Sequence, residues 1–146
     1  MRYFDTSFLT PLIREEKTSA HITRFVAELT TKELAISLWT EVEVASLLAR
    51  DVRMGIITGD EAKKADALFE DMVRQSFVVV SPGGDDYALA RRHLHNYRTG
   101  LRAGDALHLA IAGNHRAEAI YSLDESMIKA GKILGLPVSD GISADF

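Results

Sequence analysis

Hydrophobic and polar positions along the chain switch repeatedly between a period of two and a period near 3.6. Met1-Arg2-Tyr3-Phe4 predicts a short apolar-aromatic strand, and Asp5-Thr6-Ser7, three residues that favour turns and caps, predict the helix start that follows. Ile22, Phe25, Val26 and Leu29 fall at i, i+3, i+4 and i+7, the stripe of an amphipathic helix. Leu34 to Leu38 predicts a buried strand. Thr40 with Glu43 three residues on has the form of a capping box, ahead of a helix through Val44, Leu47 and Leu48 with Ala45, Ala49 and Val52. Apolar residues on more than one side predict that this helix is well buried. Thr58 with Glu61 repeats the capping pattern before the stripe Ala62, Ala65, Phe69, Met72, Val73, with Gly55 and Gly59 bracketing the turn.

Phe77 to Val80 predicts a strand closed by the breaker Ser81-Pro82-Gly83-Gly84. A helix with Tyr87, Ala90, Leu94 and Tyr97 on its inner face is expected next. From Gly104 to His115 the sequence is apolar nearly all round, which predicts a central buried helix. Ala119 to Leu123 predicts a strand, Asp124 opens a last helix ended by Gly131 or Gly135, and Pro137-Val138 suits a short edge strand. Short strands alternating with helices predict an α/β fold whose parallel sheet is covered on both faces, with right-handed crossovers. No linker, repeat or composition shift divides residues 1–146, so one domain is expected.

Composition narrows the function classes. At 146 residues, 47% hydrophobic and 26% charged, the chain has the make-up of a globular domain with a substantial core. The absence of cysteine excludes disulfides, thiolate metal sites and thiol nucleophiles, and suits a reducing compartment. Apolar runs fall far short of the ~20 residues that span a bilayer and no signal pattern opens the chain, so the expectation is a soluble cytoplasmic protein without a membrane partner. A net charge of −4 weighs against a broad phosphate-neutralising surface.

The candidate chemistry lies in acids at strand ends, where ligands bind in open parallel sheets. Asp5 follows the first strand, Glu43 lies early in the helix after the second, Asp105 opens the buried helix, and Asp124 follows the strand at Ala119. Each has an ordinary alternative as a helix cap or dipole partner. Asp105 fits that alternative least, because it heads a helix that is apolar on every side and an unpaired charge there is costly to bury. Four carboxylates brought to one edge repel one another and are best explained by a hard divalent cation such as Mg²⁺, which suits phosphodiester hydrolysis.

Four motifs, in this order and spacing, resemble those of the PIN domain family, most closely its VapC-type toxins of type II toxin–antitoxin pairs. They are Tyr3-Phe4-Asp5-Thr6-Ser7, the run Ile36-Ser37-Leu38-Trp39-Thr40-Glu41-Val42-Glu43, the run Leu101 to Ala110 around Gly104-Asp105-Ala106, and Ser122-Leu123-Asp124. The resemblance implies a three-layer α/β/α sandwich with a central parallel sheet of four to five short strands, and an endoribonuclease dependent on Mg²⁺ or Mn²⁺. It matches Asp5, Glu43, Asp105 and Asp124 to the family's acidic quartet, both as catalytic residues and as metal ligands, and Thr6 or Ser7 to the small hydroxyl that supports the first aspartate. Glu41 competes with Glu43 in Thr40-Glu41-Val42-Glu43-Val44, and the family's spacing favours Glu43.

Two features fall outside the family's acidic pattern. His108 follows Asp105 at i+3 on the same helix face, but a borderline nitrogen ligand is not what Mg²⁺ selects, and a structural histidine is expected. Between Tyr87 and Gly104 there is no acid, while Arg91, His95, Arg98 and Arg102 fall at i, i+4, i+7 and i+11. If the helix persists past Gly100, they form a basic stripe leading towards Asp105 and guiding RNA; the alternative is an ordinary solvated face.

The expected mechanism is metal-assisted hydrolysis without a side-chain nucleophile. The resemblance also implies a cognate antitoxin protein, an RNA substrate and a homodimer, with the Ile22–Leu29 and Val42–Val52 helices as the places to seek apolar contact surface. A phosphatase of the haloacid dehalogenase type would need a second aspartate where Ser7 stands, and a receiver domain would need paired acids before the first helix. The remaining alternative is a catalytically idle PIN fold serving as a protein- or RNA-binding module.

Overall fold

The computed structural model describes residues 1–29 and 33–142. Its centre is β1 (Arg2–Phe4), flanked by β2 (Leu34–Ser37) and β4 (Ala119–Tyr121), with β3 (Val78–Val80) and β5 (Val138–Ser139) at the edges. Every pairing is parallel, in the order β3-β2-β1-β4-β5. The helices are α1 (Thr6–Ile13), α2 (Ser19–Ala27), α3 (Leu38–Arg53), α4 (Gly59–Ser76), α5 (Gly84–His95), α6 (Ala103–Asn114) and α7 (Glu125–Ile133).

Alternation along β1 divides the core into two layers. Tyr3 points into a cluster with Ala90 of α5, the α6 residues Ala106 to Ala112, and Met127 of α7. Phe4 points the other way, into Phe8, Ile22, Val44 and Phe69 from α1 to α4. Both rings are fully buried, and each removes from water an area that stabilises the fold by about 1.5–3 kcal/mol. The sheet is thus the middle of a three-layer α/β/α sandwich. On one side α7 must lie close to β5: a Cβ at Gly131 would stand 2.3 Å from Val138 Cγ2, so only glycine lets that helix settle there. The helix runs through Gly131 and ends before Gly135, whose φ of +72° suits a left-handed terminus.

Several local expectations are corrected. Helix α3 starts directly from β2, so the cap is Ser37 and Thr40 is its third helical residue; the two exchange the capping-box hydrogen bonds expected of Thr40 and Glu43. Glu43 is thereby released from any capping role. The second box, Thr58 with Glu61, forms as expected. Helix α2 stops at Ala27, short of the full stripe to Leu29. Helix α3 buries Val44 and Leu48 but leaves Val42 56% and Val52 37% exposed, so its two-sided apolarity marks a surface and not a buried helix. Tyr87 and Tyr97 are exposed; α5 buries Asp86 and Ala90 instead. Among the described residues no helix is long and apolar enough to cross a membrane.

One buried ion pair ties the first helix to the third. Arg14, at the end of α1, reaches Asp51 of α3, which is 1% exposed, and also holds Glu16 at 2.7 Å. Replacing Arg14 by alanine leaves Asp51 in the interior with only Arg50 at 3.5 Å. A loss of about 1–3 kcal/mol in urea unfolding, with an unchanged m-value, is the expected result.

Candidate active site

Asp5 caps α1 at the carboxyl end of β1, accepting the Phe8 N–H at 3.0 Å through Oδ1. It is 3% exposed, and the Ser7 and Ser122 hydroxyls donate to it at 2.8 Å and 2.7 Å. Burial pushes its carboxyl above the ordinary range despite these bonds and the nearby His108 ring. Ser122 lies just beyond β4, and its hydroxyl also accepts the Asp124 N–H at 3.0 Å. Asp124 caps α7 through one oxygen, Oδ1, which accepts from Ser126 N and Met127 N. Both aspartates therefore cap a helix while standing at the end of a strand.

Asp105 is the third residue of α6 and Glu43 the sixth of α3. Thr6 Oγ1 donates to Glu43 Oε1 at 3.1 Å, and His108 Nε2 is hydrogen-bonded to the same oxygen. All six acid and hydroxyl candidates line one cavity of about 190 Å³: Asp5, Thr6, Ser7, Glu43, Asp105 and Asp124, with Thr10, Leu47 and His108. No lysine or arginine is among these lining residues. The electrostatic consequence is visible at Asp105. Burial first, then the charge of Asp124 and, more weakly, of Asp5 and Glu43 push its pKa up to about 6, with His108 opposing.

Glu41 faces elsewhere, into a groove with Ala45, Asp66, Phe69 and Glu70 between α3 and α4, so the structure places Glu43 and not Glu41 at the cavity. The basic stripe does not form as one helical face. Helix α5 ends at His95, a single 3-10 turn covers Tyr97–Thr99, and Gly100 at φ +63° turns the chain before Arg102 caps α6. Arg91, Arg98 and Arg102 are all exposed, and none lines the acidic cavity. A larger cleft, about 670 Å³, lies at the start of α5. Its buried acid, Asp86, is spent on the Gly83 N–H and the Asn114 amide.

The residues that sequence reasoning missed are Ser122, Thr10 and the connection running from His108 to Tyr3. Ser122 had a signal, since it occupies the strand-end position on β4 that Asp5 occupies beside it on β1.

The donor set fits a hard divalent cation. It is oxygen-rich and acidic, with no lysine or arginine in its walls and His108 as its imidazole. Among the described residues, no three histidine, aspartate or glutamate side chains are grouped to hold one ion by themselves.

The family model of the PIN domain matches residues 2–133. No curated protein matches the chain in sequence. Among solved structures the chain resembles VapC20 of Mycobacterium tuberculosis, a Sarcin-Ricin loop cleaving toxin, with a TM-score of 0.73 and 19% identity over 90% of this chain and 95% of that one. FitAcB from Neisseria gonorrhoeae gives 0.70 and 16% over 97% and 98%. FitAB bound to the IR36 DNA fragment gives 0.75 and 16% over 97% and 95%. At these identities the likeness is one of fold.

Proposed function

Because the chain belongs to the PIN domain family, we propose that the cavity walled by Asp5, Glu43, Asp105 and Asp124 is the active site of a metal-dependent endoribonuclease, the toxin of a toxin–antitoxin pair. One observation carries this reading: four acids, two capping α1 and α7 and two on α3 and α6, line a single small cavity that holds no lysine or arginine. Family membership and the fold shared with VapC20 support RNA as substrate.

Asp5 and Asp105 would hold the ion directly or through water, with Glu43 and Asp124 completing the shell or positioning a second ion. A bound Mg²⁺ or Mn²⁺ would polarise the scissile phosphodiester and make water a better nucleophile. The chain's own part is to keep the carboxylates fixed. Ser7 and Ser122 hold Asp5, Thr6 holds Glu43, and two backbone N–H groups hold Asp124. Incubation of the purified protein with a pool of structured RNAs and Mg²⁺ or Mn²⁺ tests the assignment. Discrete products that vanish with chelator support it. Absence of both cleavage and calorimetric metal binding would replace it with the idle binding module.

Arg98 and Arg102, one in the 3-10 turn and the other capping α6, stand just before Asp105 in the chain and serve to hold the RNA backbone, with Arg91 further along α5. Replacing both Arg98 and Arg102 with glutamate is expected to weaken RNA binding and to reduce the salt slope by about 1 for each phosphate that is no longer neutralised. An unchanged slope would remove these residues from the RNA path. The exposed apolar side of α3, with Leu38, Val42 and Val52, is the surface offered for an antitoxin or a second copy of the chain.

A further inference from the structure

The acidic cavity rests on a buried polar chain that the cleavage chemistry above does not use. Tyr3, on β1, is fully buried, and its hydroxyl lies 3.0 Å from Ser37 Oγ at the end of β2 and 2.7 Å from His108 Nδ1 on α6. His108, 1% exposed, turns its other nitrogen to Glu43 Oε1 on α3. Four elements are therefore joined through one imidazole, and its far end is a wall of the cavity.

Proton counting fixes the sense of that contact. Ionised Glu43 has only acceptor atoms, so the hydrogen between it and His108 must sit on Nε2. Nδ1 faces the Tyr3 hydroxyl: in the neutral ring it is a bare acceptor and needs that hydroxyl to donate to it, and it donates to the hydroxyl only when the ring carries a second hydrogen. The Tyr3 phenol can give one hydrogen and accept another, and it lies within reach of both Ser37 and His108. Glu43 depends on side-chain partners for its support. It sits in the middle of a helix, with neither a capping role nor a backbone N–H to fix its rotamer, and only Thr6 shares the task.

We infer that His108 is a positioning residue that donates its Nε2–H to Glu43 and, anchored by Tyr3, holds that carboxylate in the acidic cavity. The inference rests on the endoribonuclease reading for its kinetic consequence but not for its geometry. It differs from a packing role in a checkable way. Leucine would fill the buried space better than glutamine, whereas glutamine alone carries an N–H donor at about the reach of Nε2.

For the RNA-cleaving protein, His108→Leu is expected to lower kcat by about 10–100-fold, the usual cost of losing an outer partner of a metal-site carboxylate, with KM for RNA little changed. His108→Gln is expected to recover most of that loss although it packs less well, and Tyr3→Phe to show a smaller loss than His108→Leu. Equal activity of the Leu and Gln variants, at either the wild-type or a reduced level, would overturn the inference. Nitrogen-15 spectra of the wild-type imidazole give a readout free of activity. A protonated Nε2 at neutral pH supports the contact, and a bare Nε2 with its hydrogen on Nδ1 refutes it even if no variant folds. Wild-type protein that shows the protonated Nε2 yet cleaves no RNA would count against the nuclease reading and leave the positioning contact standing.

Discussion

Asp5→Asn is expected to give a protein at least as heat-stable as the wild type that no longer cleaves RNA. The amide has nearly the shape of the carboxylate, and its oxygen can still accept the Phe8 N–H that starts α1. What it lacks is the charge. Burial already holds the Asp5 carboxyl above its ordinary pKa, which means that the fold disfavours the ionised form when no cation is present. Removing the charge relieves that cost, so the melting temperature of the metal-free protein should stay level or rise. Cleavage should fall by at least about 100-fold, since even outer partners of metal ligands cost 10–100-fold when removed. A variant that is stable and still cleaves within a few-fold of the wild type would remove Asp5 from the site. Instability together with inactivity would instead reduce it to the cap of α1.

Asp105→Asn is expected to remove both metal-dependent activity and a pH signature. In the folded, metal-free protein the Asp105 carboxyl titrates at about 6, against an ordinary value of 3.8, so the native state keeps a proton that the unfolded chain has released. By linkage, stability from this group is fully present below the lower value and is lost as pH rises towards the upper one. The variant should flatten that decline. A divalent cation competes with the same proton, so wild-type affinity for Mg²⁺ should weaken by about tenfold per pH unit, for each proton displaced, once pH falls below the site's pKa. Calorimetric titrations at several pH values on either side of 6, in buffers of different ionisation enthalpy, would count the released protons. Proton release that is the same in wild type and variant would show that Asp105 is not part of the ion's surroundings.

What the sequence made legible was the part of the site written in local signals. Asp5 and Asp124 each follow a strand and cap a helix, and Asp105 heads a helix with no polar side; these features survive without knowledge of the tertiary structure. Glu43 was hidden by a plausible but wrong capping partner, because β2 passes into α3 with no loop and Ser37 takes the cap that Thr40 was expected to hold. Its place after a strand put it among the candidates, and the family's spacing favoured it over Glu41. The arginine stripe failed for a related reason: periodicity was carried across Asn96 to Gly100, where the backbone leaves the helix and enters the left-handed region. The same extension placed Tyr97 on an inner face. Apolar residues around α3 could not reveal which side met the core, since hydropathy records the tendency to leave water and not the neighbour that excludes it. The link from Ser37 through Tyr3 to His108 and Glu43 left no local trace, because its members come from four separate elements.

The placement of β1 has a consequence for how the molecule comes into being. Its two neighbours are β2, with Arg2 beside Leu34, and β4, with Arg2 beside Ala119. A nascent chain can pair the first two strands early, but the other edge of β1 stays open until Ala119–Tyr121 has been made. The same late segment brings Asp124 and Ser122, and α6 gains its β4 floor only then. Pairings this distant in sequence also form slowly. Until that segment emerges the polypeptide holds Asp5, Glu43 and Asp105 but neither Asp124 nor the Ser122 hydroxyl that steadies Asp5, so the cavity's last wall is set only when β4 joins the sheet.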